Sequence, residues 1–92
     1  MIGFEWKGKP LIPTKKALDE MSHHDVDMYK AEEILDGGFD CARSKRKRNV
    51  DERCIRRNRK IVKVVVADMG KYYKIIHVGE FTEKKGRFGL DW

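Results

Sequence analysis

The stretch from residue 60 to residue 78 constrains the fold most, because it is the only run apolar enough to anchor a core. It contains two β-branched and aromatic segments, Lys60–Ala67 and Tyr72–Val78, on either side of a short polar reversal. Gly70, in that reversal, can adopt the positive φ of a tight turn. The first segment has little polar surface, so we predict a hairpin whose first strand lies inside an antiparallel sheet.

Two short helices are predicted in residues 14–36. Thr14 is a suitable N-cap for the first helix, and the apolar residues that follow it recur at helical spacing. A Ser-x-x-acid pattern at residues 22–25 is typical of the start of a second helix. Gly37-Gly38 predicts its end, in the left-handed geometry that glycine tolerates. The two apolar stripes are expected to cover one face of the sheet.

Further strands are predicted at residues 4–6, from residue 39 to residue 43 and at residues 52–58. We therefore predict an α+β fold in which two N-terminal helices pack on a curved antiparallel sheet of about four strands, preceded by a short N-terminal strand. Residues 1–79 are assigned to a single domain, since the chain is long enough for one core. Residues 80–92 are assigned to a flexible C-terminal tail.

The charge is concentrated in the middle of the chain. The protein has 92 residues and a net charge of +6, from 21 Lys and Arg against 15 Asp and Glu. Eleven of the bases lie between Arg43 and Lys63, where Asp51 and Glu52 are the only acids; we call residues 43–63 the basic segment. Lysines that protect a solvated sheet edge would explain part of this charge. A density this high favours an anionic partner instead, above all nucleic acid.

Seven of the eleven bases are arginine, the side chain best suited to bidentate contacts with phosphate. Basic strands beside exposed aromatic side chains form a common RNA-binding platform, and Tyr72 and Tyr73 lie on the strand that follows. One of these tyrosines should be packed and the other exposed. The predicted nucleic-acid contacts are Arg43, Lys45, Arg46, Arg48, Arg53, Arg56, Arg57 and Arg59.

Other classes of site have little support in the sequence. His77 could act as an acid or a base near neutral pH, or be an ordinary sheet residue. Neither His-x-x-x-His nor Cys-x-x-Cys occurs, so we expect no metal and no cofactor. Cys41 and Cys54 are expected to be free thiols. No run reaches membrane-spanning length and residues 1–5 do not resemble a secretory signal, so we expect a cytoplasmic protein without a membrane partner.

Short motifs, in the same order, resemble the BrnT-type toxins. These motifs are Phe4-Glu5-Trp6, the helix start from His24 to Ala31, and Val64-Val65-Val66 followed by Lys74-Ile75-Ile76. A sister group of small uncharacterised domains is similar at Thr14–Leu18 and at Leu35–Gly38. Together the likeness covers residues 4 to 78.

The resemblance implies a RelE-like fold and a ribonuclease toxin that a small antitoxin-like protein holds inactive. In such enzymes, basic and tyrosyl groups on the sheet hold the phosphate and help to move the 2′-OH proton. We therefore take Lys60, Tyr73 and His77 as the catalytic candidates. Two family positions differ here. Lys16 replaces the histidine of the sister group, and the sequence after Ile76 lacks the arginine of the BrnT pattern.

The leading hypothesis is a cytoplasmic domain of a toxin–antitoxin type system that binds RNA or ribosome-bound RNA and cleaves it. A homologue that has lost cleavage and kept binding fits the same residues, so the sequence leaves enzymatic activity open. A non-catalytic nucleic-acid-binding module is one alternative. The other is a protein-interaction module whose basic surface receives an acidic segment of a partner.

Overall fold

The computed structural model describes residues 3–40 and 49–82, and every structural statement below refers to these ranges. They form one six-stranded sheet, in the order β1-β2-β6-β5-β4-β3, and two helices. In chain order the elements are β1 Glu5–Trp6, β2 Lys9–Pro13, α1 Lys15–His23, α2 Met28–Gly37, β3 Phe39–Asp40, β4 Val50–Arg57, β5 Lys60–Asp68 and β6 Tyr73–Thr82.

The sheet corrects the predicted fold. An α+β fold is observed, but the expected antiparallel sheet of about four strands is wrong, because the sheet has six strands and is mixed. The difference arises at β2, which turns back from β1 at Lys7 and Gly8, both with positive φ. It then pairs in parallel with β6. Pro10 and Pro13 make this segment look unlike a strand, because proline cannot donate to a ladder.

The helices begin with side-chain caps. Thr14 Oγ1 accepts a hydrogen bond from the Ala17 N–H at 2.9 Å, which confirms the predicted N-cap of α1. The second helix begins later than expected, after Asp27, whose carboxylate accepts from the Lys30 N–H at 2.8 Å. It ends before Gly38, which is not left-handed. A Cβ at Gly38 would lie 2.6 Å from the Cys54 carbonyl oxygen, so close packing against β4 requires glycine there.

The core lies between the helices and one face of the sheet. Alternate residues of β5, namely Val62, Val64 and Val66, are fully buried on that face beneath apolar side chains of α1 and α2. A β-bulge changes the phase of β6, since Val65 pairs with His77 whereas Val66 pairs with Ile75. Ile75 and Val78 thus both face the helices, and His77 shares the opposite face with Val65.

The described residues bear on three further predictions: the free thiols, the absence of a membrane span and the domain boundary. Cys54 is 1% exposed and disulfide-bonded, so the expected free thiol is wrong at this position, and Cys41 lies outside the described residues. Neither described helix is long and apolar enough to span a membrane. Strand β6 continues to Thr82, and residues 83–92 lie outside the described ranges, so the boundary placed at residue 79 stays a prediction.

Candidate nucleic-acid interface

The described part of the chain carries no net charge. Residues 3–40 and 49–82 contain 13 Lys and Arg and 13 Asp and Glu. The surplus of +6 therefore falls on residues 41–48, with five bases and no acid, and on residues 83–92, with three bases and two acids. Four of the predicted nucleic-acid contacts lie outside the described residues: Arg43, Lys45, Arg46 and Arg48.

Carboxylates distant in sequence neutralise several cations of the basic segment. Arg53 Nη1 lies 3.3 Å from Asp40 Oδ1, across the β3–β4 pair. Lys63 Nζ lies 3.4 Å from Glu52 Oε2, which belongs to a buried side chain on β4. These pairs hold the sheet together and leave less positive charge for a ligand than the sequence suggests.

Arg57 fastens the α1–α2 connection to the end of the sheet. Its guanidinium donates to the carbonyl oxygens of His24 and Asp25, and lies 3.3 Å from Glu80 Oε2. Burial alone would raise the pKa of Glu80, but the hydrogen bond from Arg57 and the nearby charge of Lys60 bring that pKa below its ordinary value. Glu80 is therefore ionised at neutral pH, and the side chain of Arg57 is occupied by structural contacts.

The tip of the β4–β5 hairpin presents two further cations of the basic segment, Arg59 and Lys60. Asn58 makes the tight turn possible with a φ of 61°. Arg59 is exposed next to it, and among the described residues it has no hydrogen bond or ion pair. An open pocket of about 630 Å³ lies at this tip, lined by Asp25, Arg57, Asn58, Arg59, Lys60 and Glu80.

The arginines predicted to contact nucleic acid lie on both faces of the sheet. Strand alternation and register place Arg53 and Arg57 on the face that the helices cover, whereas Arg56 projects from the other face. The Arg56 guanidinium lies 5.4 Å from the centroid of the Phe39 ring, a cation–π contact on that second face. The predicted contacts therefore do not form one continuous wall within the described residues.

The three predicted catalytic residues lie apart. Tyr73 is 6% exposed and packs in the core, with its ring 4.9 Å from that of Trp6. Lys60 pairs with Thr82, five residues along β6 from His77, so the two backbones are about 16 Å apart. Alternation along the strands places Tyr73 and Lys60 on the helix side and His77 on the opposite side. Of the three, only His77 belongs to the open face described next.

His77 has a carboxylate partner. Its Nδ1 lies 3.0 Å from Glu20 Oε1 on α1, and the same oxygen accepts from the Val78 N–H at 2.9 Å. Lys16 Nζ lies 3.9 Å from the other oxygen of Glu20. Burial alone would raise the pKa of Glu20, but the Val78 N–H and the charge of His77 bring that pKa below its ordinary value. An ionised glutamate thus fixes an imidazole whose side chain remains 40% exposed.

The sheet face that carries His77 lies opposite the two described helices, and we call it the open face for that reason alone, since Val65 and Ala67 on it are buried. Its cross-strand pairs, in order along the sheet, are Lys74 with Ala67, His77 with Val65 and Gly79 with Lys63. Lys74 is half-buried and has no hydrogen bond or ion pair among the described residues. A Cβ on Gly79 would lie 3.0 Å from His77 Nε2, so the absence of a side chain at Gly79 lets the imidazole pack over the strand there.

Sequence reasoning missed the residues that surround His77. Glu20 lies 57 positions away in the chain, and nothing in the local pattern of α1 distinguishes it from a solvated helix carboxylate. Lys74 belongs to the same strand as His77, but only the bulge reveals that the two share a face. No local pattern marks this residue, since Lys74 is the one lysine of β6.

Comparisons with known proteins do not assign a family. No family model matches the chain, and no curated protein or solved structure matches it. Within residues 3–40 and 49–82, no group of three His, Cys, Asp or Glu side chains is placed to hold a metal ion.

Proposed function

We propose that this protein is an RNA-binding domain of the toxin–antitoxin type that also cleaves RNA. The observation that carries the proposal is the location of the surplus positive charge. The described scaffold is balanced, whereas residues 41–48, between β3 and β4, hold five bases and no acid. A run of bases this dense in the sequence favours binding to the phosphates of a nucleic acid, with release of counterions.

The proposal of cleavage depends on the open face. A histidine held by a carboxylate is a suitable group for moving the proton of a ribose 2′-OH, and Lys74 on the same face can meet a phosphate oxygen. RNA or ribosome-bound RNA is the proposed substrate, and a small antitoxin-like protein is the proposed partner. The cytoplasm is the proposed location. Cys54 is disulfide-bonded, which is uncommon for a protein of that compartment.

Binding can be tested by charge replacement. We expect the wild-type protein to bind single-stranded RNA with an affinity that falls steeply as salt rises. In a variant with glutamine at Arg43, Lys45, Arg46 and Arg48, the negative slope of log K against log salt should become shallower by about three. The matched control replaces four lysines outside the basic segment: Lys7, Lys15, Lys30 and Lys71. Equal effects of the two sets on affinity and slope would contradict the assignment of residues 43–48 to RNA.

Cleavage is tested on purified RNA and on translating ribosomes with the same protein. Cut RNA in either reaction supports a ribonuclease, and binding without any cut supports a non-catalytic nucleic-acid-binding module. An acidic peptide that displaces the RNA and binds more tightly supports the protein-interaction module, whose basic surface receives a partner segment. A small acidic protein encoded beside this one would be the partner to test first.

A further inference from the structure

We propose that His77 Nε2 accepts the ribose 2′-OH proton during RNA cleavage and that Glu20 is the residue that positions His77 for this step. The inference rests on the proposed function and deepens it, because it names a reacting atom and a second residue. It also replaces a dispersed set of catalytic candidates with side chains that the fold brings together.

The contact with Glu20 selects one tautomer of the imidazole. A carboxylate only accepts hydrogen bonds, so His77 Nδ1, 3.0 Å from Glu20 Oε1, must be the nitrogen that carries hydrogen. In the neutral ring this leaves the lone pair on Nε2. A base oriented by a third group through its other nitrogen is the arrangement that proton-transfer catalysis requires.

Glu20 is itself held in place by the end of the sheet. The parallel pairing of β2 with β6 ends at Ile75, so the backbone of β6 beyond that point needs another partner on this side. Glu20 supplies one by accepting from the Val78 N–H at 2.9 Å. Since the pKa of Glu20 is lowered, its carboxylate is ionised where RNA is stable, and it stabilises the imidazolium that forms as His77 takes up a proton.

The His77 side chain is 40% exposed, so a phosphodiester can reach the ring from solvent. Gly79 allows the ring to take this position, because a Cβ there would lie 3.0 Å from Nε2. Lys74 and Lys63 flank His77 on the open face, one on each side along the sheet. Lys63 is engaged by Glu52, so Lys74 is the cation available to a non-bridging phosphate oxygen.

The reaction step balances without a co-reactant. Nε2 takes the proton of the 2′-OH as the 2′-oxygen forms a bond to the adjacent phosphorus. The bond from phosphorus to the 5′-oxygen of the next nucleotide breaks, and that oxygen takes a proton from water or from the imidazolium. The products are a 2′,3′-cyclic phosphate and a free 5′-hydroxyl, and no electrons are exchanged.

The other histidine–glutamate pair does not offer the same chemistry. His24 Nδ1 lies 3.5 Å from Glu80 Oε1, but the other oxygen of Glu80 is occupied by Arg57. The carbonyl of His24 also accepts from the Arg57 guanidinium, so the residue belongs to the structural contacts of the α1–α2 connection. His77 has the more exposed side chain of the two, 40% against 30%, and no described arginine shares its glutamate.

The test uses the full chain and an RNA that the wild-type protein cuts. His77→Ala should lower the cleavage rate by about 100-fold or more while RNA affinity is kept, and added imidazole should restore part of the rate. His23→Ala is the control, since His23 is exposed and its ring contacts a carbonyl of its own helix, that of Asp19. Unchanged cleavage by His77→Ala would overturn the inference and leave the proposed function standing.

Glu20→Gln separates positioning from structural support. The amide oxygen can still accept from the Val78 N–H, so α1 should stay docked, whereas the negative charge facing the imidazolium is lost. We expect the rate to fall about 10-fold or more, with a changed pH profile and a nearly unchanged melting temperature. A fall in rate that follows only the loss of folded protein, with the pH profile unchanged, would overturn the role of Glu20.

Two results would separate this inference from the proposed function. RNA that is bound and never cut, by the free protein or on ribosomes, overturns the inference and the cleavage part of the proposal while RNA binding stands. Neither binding nor cleavage overturns both. Where His77→Ala does not fold, His77→Gln and Lys74→Gln serve instead, because both keep a polar side chain on the open face.

Discussion

Two glutamates connect the helical layer to β6, and their surroundings differ. Glu80 meets Arg57, which also bonds to two carbonyl oxygens of the α1–α2 connection, so the positive charge is used within the protein. Glu20 meets His77, whose side chain stays 40% exposed on the same sheet face as Lys74, a residue with no ion pair to any other described residue. The comparison shows that an arginine in a basic stretch can be a structural residue. A single histidine outside that stretch can pair with a carboxylate and still be partly exposed to solvent.

The largest expected effect is the loss of the Arg57 contacts. Arg57→Met should lower the free energy of unfolding by about 2–4 kcal/mol, because a part-buried Glu80 and two carbonyl oxygens lose their donor. Urea unfolding measures this change. Arg59→Met, at the exposed hairpin tip, is the matched control and should change stability by less than about 0.5 kcal/mol. Similar losses in both variants would remove the distinction between structural and available arginines.

A smaller loss of stability is expected in acid. Glu80 and Glu20 have lowered pKa values in the folded protein, so between the folded and unfolded pKa values the unfolded chain binds more protons. Their contribution to stability is therefore complete above the ordinary value of 4.5 and is lost as pH falls through the folded pKa values. Unfolding measured from pH 7 to pH 3 should show this slope, and Glu80→Gln should flatten it. Glu33→Gln, on exposed α2, should leave the slope unchanged.

The hairpin tip offers a backbone test. Asn58 has a φ of 61°, which asparagine tolerates better than alanine does. Asn58→Ala should cost about 1 kcal/mol of unfolding free energy, and Asn58→Gly should be nearly neutral. If both substitutions were neutral in chemical denaturation, the tip would be too loosely held to present Arg59 in a defined place.

The smallest expected effect distinguishes paired from unpaired lysines. Lys74→Gln should weaken RNA binding several-fold and reduce the salt slope by about one, without altering stability. Lys30→Gln is the control, because Lys30 Nζ already lies 3.1 Å from Glu33 Oε1. Fluorescence anisotropy across a salt series measures both quantities. An equal effect of the two substitutions would show that the open face does not contact RNA.

The features predicted correctly are those set by neighbouring residues. The hairpin expected at Lys60–Ala67 and Tyr72–Val78 is observed as β5 and β6, since β-branched runs around a glycine turn are a local signal. The cap at Thr14 is local in the same way. The parallel pairing of β2 with β6 was missed because it joins residues more than 60 positions apart, through a strand interrupted by prolines.

The candidate site was harder to predict for the same reason. Its histidine was recognisable as a titratable residue on a strand, but Glu20 lies on a helix and is 57 positions from His77 in the chain. Asp40 and Glu80 neutralise arginines from outside the basic segment, so a count within that segment overstates its available charge. Contacts between residues distant in sequence decide both the partner of His77 and the charge left on the basic segment, and short sequence patterns do not encode such contacts.

The position of β6 within the sheet has a consequence for how the protein is made. The β1–β2 hairpin joins the rest of the sheet only through β6, the last strand of the described chain. A nascent chain therefore exposes the apolar side of β5 and leaves the first two strands without their long-range partner until residues 73–82 leave the ribosome. Assembly of the sheet therefore waits until β6 has been translated, and shortening the chain within β6 should leave an aggregation-prone fragment.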